Sequence, residues 1–258
     1  MSSASHLGLA IFCLFFGLTA ARADLPDLID KIKPSIVAIG TYKKTQSPAF
    51  VFRGTGFAFG DGNQVATNAH VLPSSSGPDD PILAVLIRSK GSEGSLRLAR
   101  VVQRNPERDL AVIRIDGPPL PALKLGDSST VREGQVIAFT GFPIGGALGY
   151  SPVTHRGIVS AITPIGIPGG NASQLNAQLI QQLKRGAFDV FQLDATAYPG
   201  NSGSPVYETE NGTVVGVINM VFVKGSKEAA ISAPSGITYA IPAKDLYCLL
   251  SVNAILLA

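Results

Sequence analysis

The stretch Asp194–Val206, DATAYPGNSGSPV, holds the residue on which both fold and chemistry turn. Ser202 sits in Gly200-Asn201-Ser202-Gly203-Ser204-Pro205. Glycine is used where the backbone must turn tightly or let another group approach closely. Ser202 is therefore either a nucleophile presented on a shaped turn or part of a polar loop between two strands. Gly200, Asn201 and Ser202 also supply successive backbone N–H groups that can converge on one point. Such donors stabilise the oxyanion of a tetrahedral intermediate.

A serine hydroxyl is a poor nucleophile until a base takes its proton, and the base needs a partner to fix its tautomer. The chain has three histidines, of which His6 lies in an N-terminal leader, leaving His70 and His155. His70 ends the apolar run QVATNAHVL. His155 sits in VTHRG beside Arg156, whose charge disfavours a protonated imidazole. His70 is the favoured base; its plain alternative is a satisfied buried histidine. For the third member, Asp109 in ERDLAVIRI precedes an alternating strand, where its carboxylate can point into a junction. Asp79, Asp80, Asp116 and Asp127 lie in turn-like stretches. Asp194 competes through its nearness to Ser202 in sequence, with a carboxylate bonding loop amides as its plain reading.

An apolar share of 45% with 15% charged residues describes a folded chain and excludes a disordered one. The 28 Gly, 18 Pro and many Val/Ile runs lean towards β-structure with many turns. A net charge of +3 without a Lys/Arg cluster argues against a nucleic-acid partner. Leu7–Ala20 is an apolar run followed by Ala21-Arg22-Ala23, an A-x-A site. Residues 1–23 therefore read as a secretory signal peptide, with a mature chain from Asp24 and an uncleaved anchor as the plain alternative. After cleavage no stable membrane anchor is expected, and the destination is a bacterial periplasm or the exterior. Cys13 leaves with the signal, so Cys248 has no intrachain partner. Its apolar surroundings in LYCLLSVNAILLA predict a buried structural thiol.

Strand-like runs recur at short intervals: 35–42, 50–60, 64–72, 82–89, 96–104 and 110–115, then 135–143, 150–162, 189–195, 203–208, 213–223 and 236–242. The Pro/Gly/Asp-rich segment 116–134 reads as a connection between two halves. Helices are expected at Leu25–Ile32, at 172–186 with Leu175, Leu179 and Leu183 in one stripe, and after Pro242. The domain reading is a barrel over 24–127 with His70 and Asp109. A second barrel over 128–258 carries Ser202 and a C-terminal helix.

The ordered motifs GTGFAFG, NQVATNAHVL, RDLAVIRI, GFPIGG, GIVSAI, DATAYPGNSGSPV, VVGVIN and GITYAIPAKDL resemble the protease domain of HtrA/Deg-type, trypsin-like serine proteases. The resemblance runs from about Leu25 to Leu250. It implies an all-β, chymotrypsin-like double six-stranded β-barrel with a few peripheral helices, the site lying in the cleft between the barrels. It implies His70, Asp109 and Ser202 as the triad, in the chain order of that architecture. It also implies the amides of Gly200 and Ser202 as the oxyanion hole, where the residues alone offer Gly200, Asn201 and Ser202, and no cofactor or metal. The S1 pocket would be lined by Thr196, Ala197, Ile218 and Asn219. Thr196 brings no carboxylate to the pocket base, so small or medium apolar P1 residues are expected, not Lys or Arg. Glutamyl endopeptidases are similar around the serine, but Val217-Ile218-Asn219 lacks the histidine that would meet a glutamate. Ser204 replaces the usual glycine and is expected to alter the pocket wall. Asn201 cannot form the ion pair that activates trypsin-type zymogens. Polypeptide substrates are the implied partners. About 16 residues follow Pro242, too few for a PDZ domain, and a homotrimer is left open. The alternative function is a non-proteolytic, chaperone-like homologue that only holds chains.

Overall fold

The computed structural model describes residues 24–74, 77, 79–88, 94–145, 149–164, 188–219 and 236–256. The expected signal peptide and the Leu-striped helix 172–186 lie outside them.

Twelve strands form two closed six-stranded barrels. The first contains β1 (Ile36–Tyr42), β2 (Phe50–Phe59), β3 (Gln64–Thr67), β4 (Ile82–Ile87), β5 (Ser95–Asn105) and β6 (Leu110–Ile115). The second contains β7 (Val136–Gly141), β8 (Val153–Pro164), β9 (Asp189–Asp194), β10 (Pro205–Glu208), β11 (Val214–Asn219) and β12 (Ile237–Pro242). The spatial orders are β1-β2-β3-β6-β5-β4 and β10-β11-β12-β9-β8-β7. Closure removes the unpaired edges that open sheets expose. Helix α1 (Leu25–Ile32) precedes the first barrel and α2 (Ala243–Leu256) follows the second.

Alternation decides what each strand buries. In the first barrel Val37, Ile39, Val65, Val85, Ala111 and Ile113 fill the interior. In the second, Ile137, Phe139, Val159, Phe191, Leu193, Val206 and Ile218 do so. A third cluster lies between the barrels and includes Phe57, Leu110, Phe142, Tyr207, Val217 and Leu246. Strands that are buried throughout, such as β11, contribute one face to a barrel and the other to this shared layer. Each fully buried Leu, Ile or Phe contributes roughly 1.5–3 kcal/mol of transfer free energy. The layer therefore fixes one barrel against the other, and with them the cleft.

The connection 116–134 lies against both barrels. Leu123 N–H donates to Ala58 at 2.9 Å, and Gly126 N–H to Val214 at 2.8 Å. The N-cap of α1 is Asp24, and the helix buries Leu28 and Ile32, four residues apart. Both lie close to Gly212, so the N-terminal helix packs on the second barrel. Helix α2 buries Ala243, Leu246 and Leu249. Cys248 lies on the helix face turned away from these positions and is exposed, which corrects the expectation of a buried thiol. Among the described residues no helix is long and apolar enough to cross a membrane.

Candidate active site

The strand expected over 64–72 stops at Thr67, and a 3₁₀ turn occupies Ala69–Val71. The reason is local. Asn68 Nδ2 and Ala69 N–H both donate to the backbone carbonyl of Asp109, at 3.0 and 3.1 Å. These bonds draw the chain out of the β3 ladder at the barrel rim, where His70 projects. Asp109 sits just before β6 with φ 51°, a left-handed conformation that is uncommon for any residue other than glycine.

His70 Nδ1 lies 2.6 Å from Asp109 Oδ2, and His70 N–H donates to Asp109 Oδ1 at 2.8 Å. One carboxylate thus grips both the ring and the backbone of the same histidine. Asn219 Nδ2 donates to Oδ2 as well, at 2.7 Å. With Nδ1 engaged on a carboxylate, the ring is held in the tautomer that leaves Nε2 free to accept a proton. Asp194 is exposed at the end of β9 and is not the carboxylate that meets His70. His155 lies in β8, stacked on Phe139 with ring centroids 4.8 Å apart. Burial holds its pKa below the ordinary imidazole value, so the cause is desolvation and not the neighbouring Arg156.

Ser202 arrives from the second barrel. Its carbonyl accepts from Thr55 N–H at 2.9 Å, which ties the serine turn to β2. A side chain at Gly54 would meet Val71 on one side and the Ser202 carbonyl, 3.1 Å away, on the other. The chain on either side of the cleft therefore converges at Gly54, next to His70. Gly203 has φ 89°, and a Cβ there would run into the Thr55 carbonyl, so the residue after the serine must be glycine.

The donors at the turn can be assigned from the backbone. Pro199 C=O accepts from Ile144 N–H at 2.7 Å. In a planar trans peptide C=O and N–H point in opposite directions. The Gly200 N–H is therefore directed away from Ile144. The Asn201 N–H donates to Tyr198 at 2.9 Å. This corrects the three-amide reading: the Asn201 amide is spent inside the turn, which leaves Gly200 and Ser202. Ser204 is fully buried behind Ser202 against Gly141, so it does not wall a pocket.

Two of the expected S1 residues are placed elsewhere. Ile218 is fully buried in the second barrel's core, and Asn219 is turned onto Asp109. Thr196 is half-buried, and Ala197 is buried with its N–H donated to Thr238 Oγ1 at 3.1 Å. Residues 220–235, which follow Asn219, lie outside the described set. Among the described residues no group of three or more His, Cys, Asp or Glu side chains could hold a metal ion.

Sequence reasoning passed over Thr55. Its Oγ1 donates to the Gly200 carbonyl at 2.7 Å and accepts from Phe142 N–H at 3.0 Å. Its backbone carbonyl accepts from Thr67 Oγ1 at 2.7 Å. The signal was a hydroxyl within GTGF where alternation puts a side chain inward. Thr55→Val keeps the shape and strands two backbone groups. It is expected to cost about 1–3 kcal/mol in urea unfolding and to slow labelling of Ser202 by a serine-directed probe.

Comparison with known proteins adds four findings. A family model described as a trypsin-like peptidase domain matches residues 54–217. A probable periplasmic serine endoprotease, DegP-like, from Halomonas elongata is 30% identical over 190 residues, covering 73% of this chain and 32% of that one. Serine protease PepD from Mycobacterium tuberculosis is 31% identical over 214 residues, covering 82% of this chain and 42% of that one. The chain thus spans about a third to two fifths of the length of these relatives. Among solved structures, the HtrA-type protease AlgW with a decapeptide superposes with a TM-score of 0.63 at 25% identity, covering 90% of this chain and 68% of that one.

Proposed function

The chain belongs to the trypsin-like peptidase family, in its HtrA-type group, and from that premise we propose that it is an exported serine endopeptidase acting on unfolded or exposed polypeptide. The observation that carries the reading is the double grip of Asp109 on His70, with Nδ1 at 2.6 Å and the backbone amide at 2.8 Å. In this reading His70 Nε2 takes the Ser202 Oγ proton as Oγ attacks the scissile carbonyl. The carbonyl oxygen becomes an oxyanion facing the Gly200 and Ser202 amides. Collapse expels the amine, which leaves with the proton from His70, and Ser202 is acylated. Water then gives its proton to His70 and hydroxide to the ester, which releases the acid and restores the serine. Asp109 orients the imidazole and stabilises its charge throughout.

Thr196, half-buried and uncharged, supports a small or medium apolar P1 residue. Selection by such a pocket is worth only ~10–200-fold per methylene, which suits broad cleavage of unfolded chains. The solved relative's bound decapeptide is consistent with a peptide substrate. Export to the periplasm is proposed from the periplasmic relatives and the N-terminal apolar run.

A fluorophosphonate probe tests the reading. It is expected to label the folded chain at Ser202, identified by peptide mapping, and the chain is expected to degrade denatured casein with Val, Ala, Ile or Leu at the new C-termini. A folded chain that binds casein without labelling or cleavage overturns it in favour of a holding function.

A further inference from the structure

The Asp109 turn is held from the front by Asn68, Ala69, His70 and Asn219. Its back is held by the residue before it. The Arg108 backbone N–H donates to Asn105 Oδ1 at 3.0 Å, which closes the β5–β6 turn. The Arg108 guanidinium then leaves the first barrel. Its Nη1 lies 3.7 Å from Asp245 Oδ1, at the start of α2. Its Cζ stands 4.1 Å over the centre of the Phe188 ring, just before β9. Asp245 is nearly enclosed, with 9% of its side chain exposed, and Arg108 is about two-thirds covered, at 34%. Both partner groups thus come from the second barrel's part of the chain, 80 and 137 residues further on.

We infer that Arg108, Asp245 and Phe188 are positioning residues that brace the left-handed Asp109 turn against the second barrel, which also carries Ser202. This inference rests on the proposed triad and adds the device that keeps its two halves in register.

The physical argument is one of constraint. A residue held at φ 51° relaxes to an ordinary conformation unless its surroundings over-determine it. The front bonds all come from groups that move with His70 or with β11. The guanidinium supplies the opposing hold, with a carboxylate at one end and an aromatic face on one side. Helix α2 is itself fixed at that end, since Lys244 N–H donates to Ser128 Oγ at 2.9 Å and Leu246 sits in the layer between the barrels. Burial raises the Asp245 carboxyl above its ordinary pKa, and Asp189 adds to this, while Arg108 and Lys244 oppose it. The Arg108 guanidinium, 3.7 Å away, is the first of the charges that offset this cost.

Arg108→Met and Asp245→Asn test the inference. Arg108 is a third exposed, so its replacement by a flexible apolar chain is compatible with folding. Both variants are expected to lower kcat roughly 10–100-fold with KM unchanged, as a displacement of about 1 Å at a reacting group does. The acid limb of kcat/KM is expected at lower pH, because an imidazole that loses its carboxylate is harder to protonate. The downfield Nδ1–H proton resonance of His70 is expected to weaken. Arg108→Lys keeps the charge and is expected to recover part of kcat. Failure of the wild type to label with the fluorophosphonate would count against the triad. If the wild type labels and Arg108→Met keeps both kcat and the acid limb, the brace is rejected, whatever the folding of Asp245→Asn.

Discussion

His70→Ala is expected to lower kcat about 10⁶-fold, with the variant folding normally and still binding denatured casein. Among the described residues nothing else at the site can take the proton. The other described imidazole, His155, is stacked on Phe139 in β8 and belongs to the second barrel's wall. Asp109 is occupied by the His70 amide and by Asn219. The expected loss is large because in the proposed triad nucleophile and base act as one unit, and removing either leaves only binding and the turn amides. Stability changes little, since the His70 side chain is 34% exposed and packs in no core cluster. Single-turnover hydrolysis of a p-nitrophenyl ester, with circular dichroism to verify folding, makes the measurement. A loss of less than a hundredfold would move the base elsewhere.

Much of this site can be read along the chain. Apolar runs separated by Gly/Pro turns give twelve strands, and closure in two sixes follows from the break at 116–134. The tight turn around Ser202 is legible because glycines surround it, and Gly200 and Gly203 both have positive φ. What the sequence hides is direction. Alternation says that Ile218 and Asn219 face opposite ways, but not which one faces the barrel interior. Ile218 takes the interior and Asn219 the cleft, where its amide finds a carboxylate 110 residues away. The Asn201 amide is hidden for a similar reason: whether a turn amide faces outward depends on which carbonyl lies behind it, here that of Tyr198. In α2 the apolar residues cover more than one face, so composition suggested burial for Cys248 where packing leaves it exposed. Arg108 reads on paper as one more surface cation in NPERDL; only the return of the chain to the first barrel gives it a partner.

Asp109→Asn is expected to lower kcat about 10⁴-fold with KM nearly unchanged. The size of the loss follows from the donors around this carboxylate. Oδ1 accepts from the His70 backbone N–H, which cannot change its role. Oδ2 accepts from Asn219 Nδ2 and faces His70 Nδ1. An asparagine has one acceptor and one donor end. With its NH₂ at the Oδ1 position, it meets the His70 amide donor to donor, across what was a 2.8 Å bond. With its NH₂ at the Oδ2 position, it asks His70 Nδ1 to accept. That orientation avoids the backbone clash, since Asn219 can turn its own amide to present oxygen. It also moves the imidazole proton to Nε2, where the proton of Ser202 has to go. The fold survives, because shape and most hydrogen bonds are kept, while the base is held in the wrong tautomer. Asn219→Ala separates the two effects. It removes one donor from Oδ2 and leaves His70 correct, so roughly a tenfold loss is expected from the weakened hold on Asp109. Nitrogen-15 shifts of the His70 ring read the tautomer directly. Asp109→Asn turning over within tenfold of wild type, or an Nδ1-protonated ring in that variant, would remove Asp109 from the reaction.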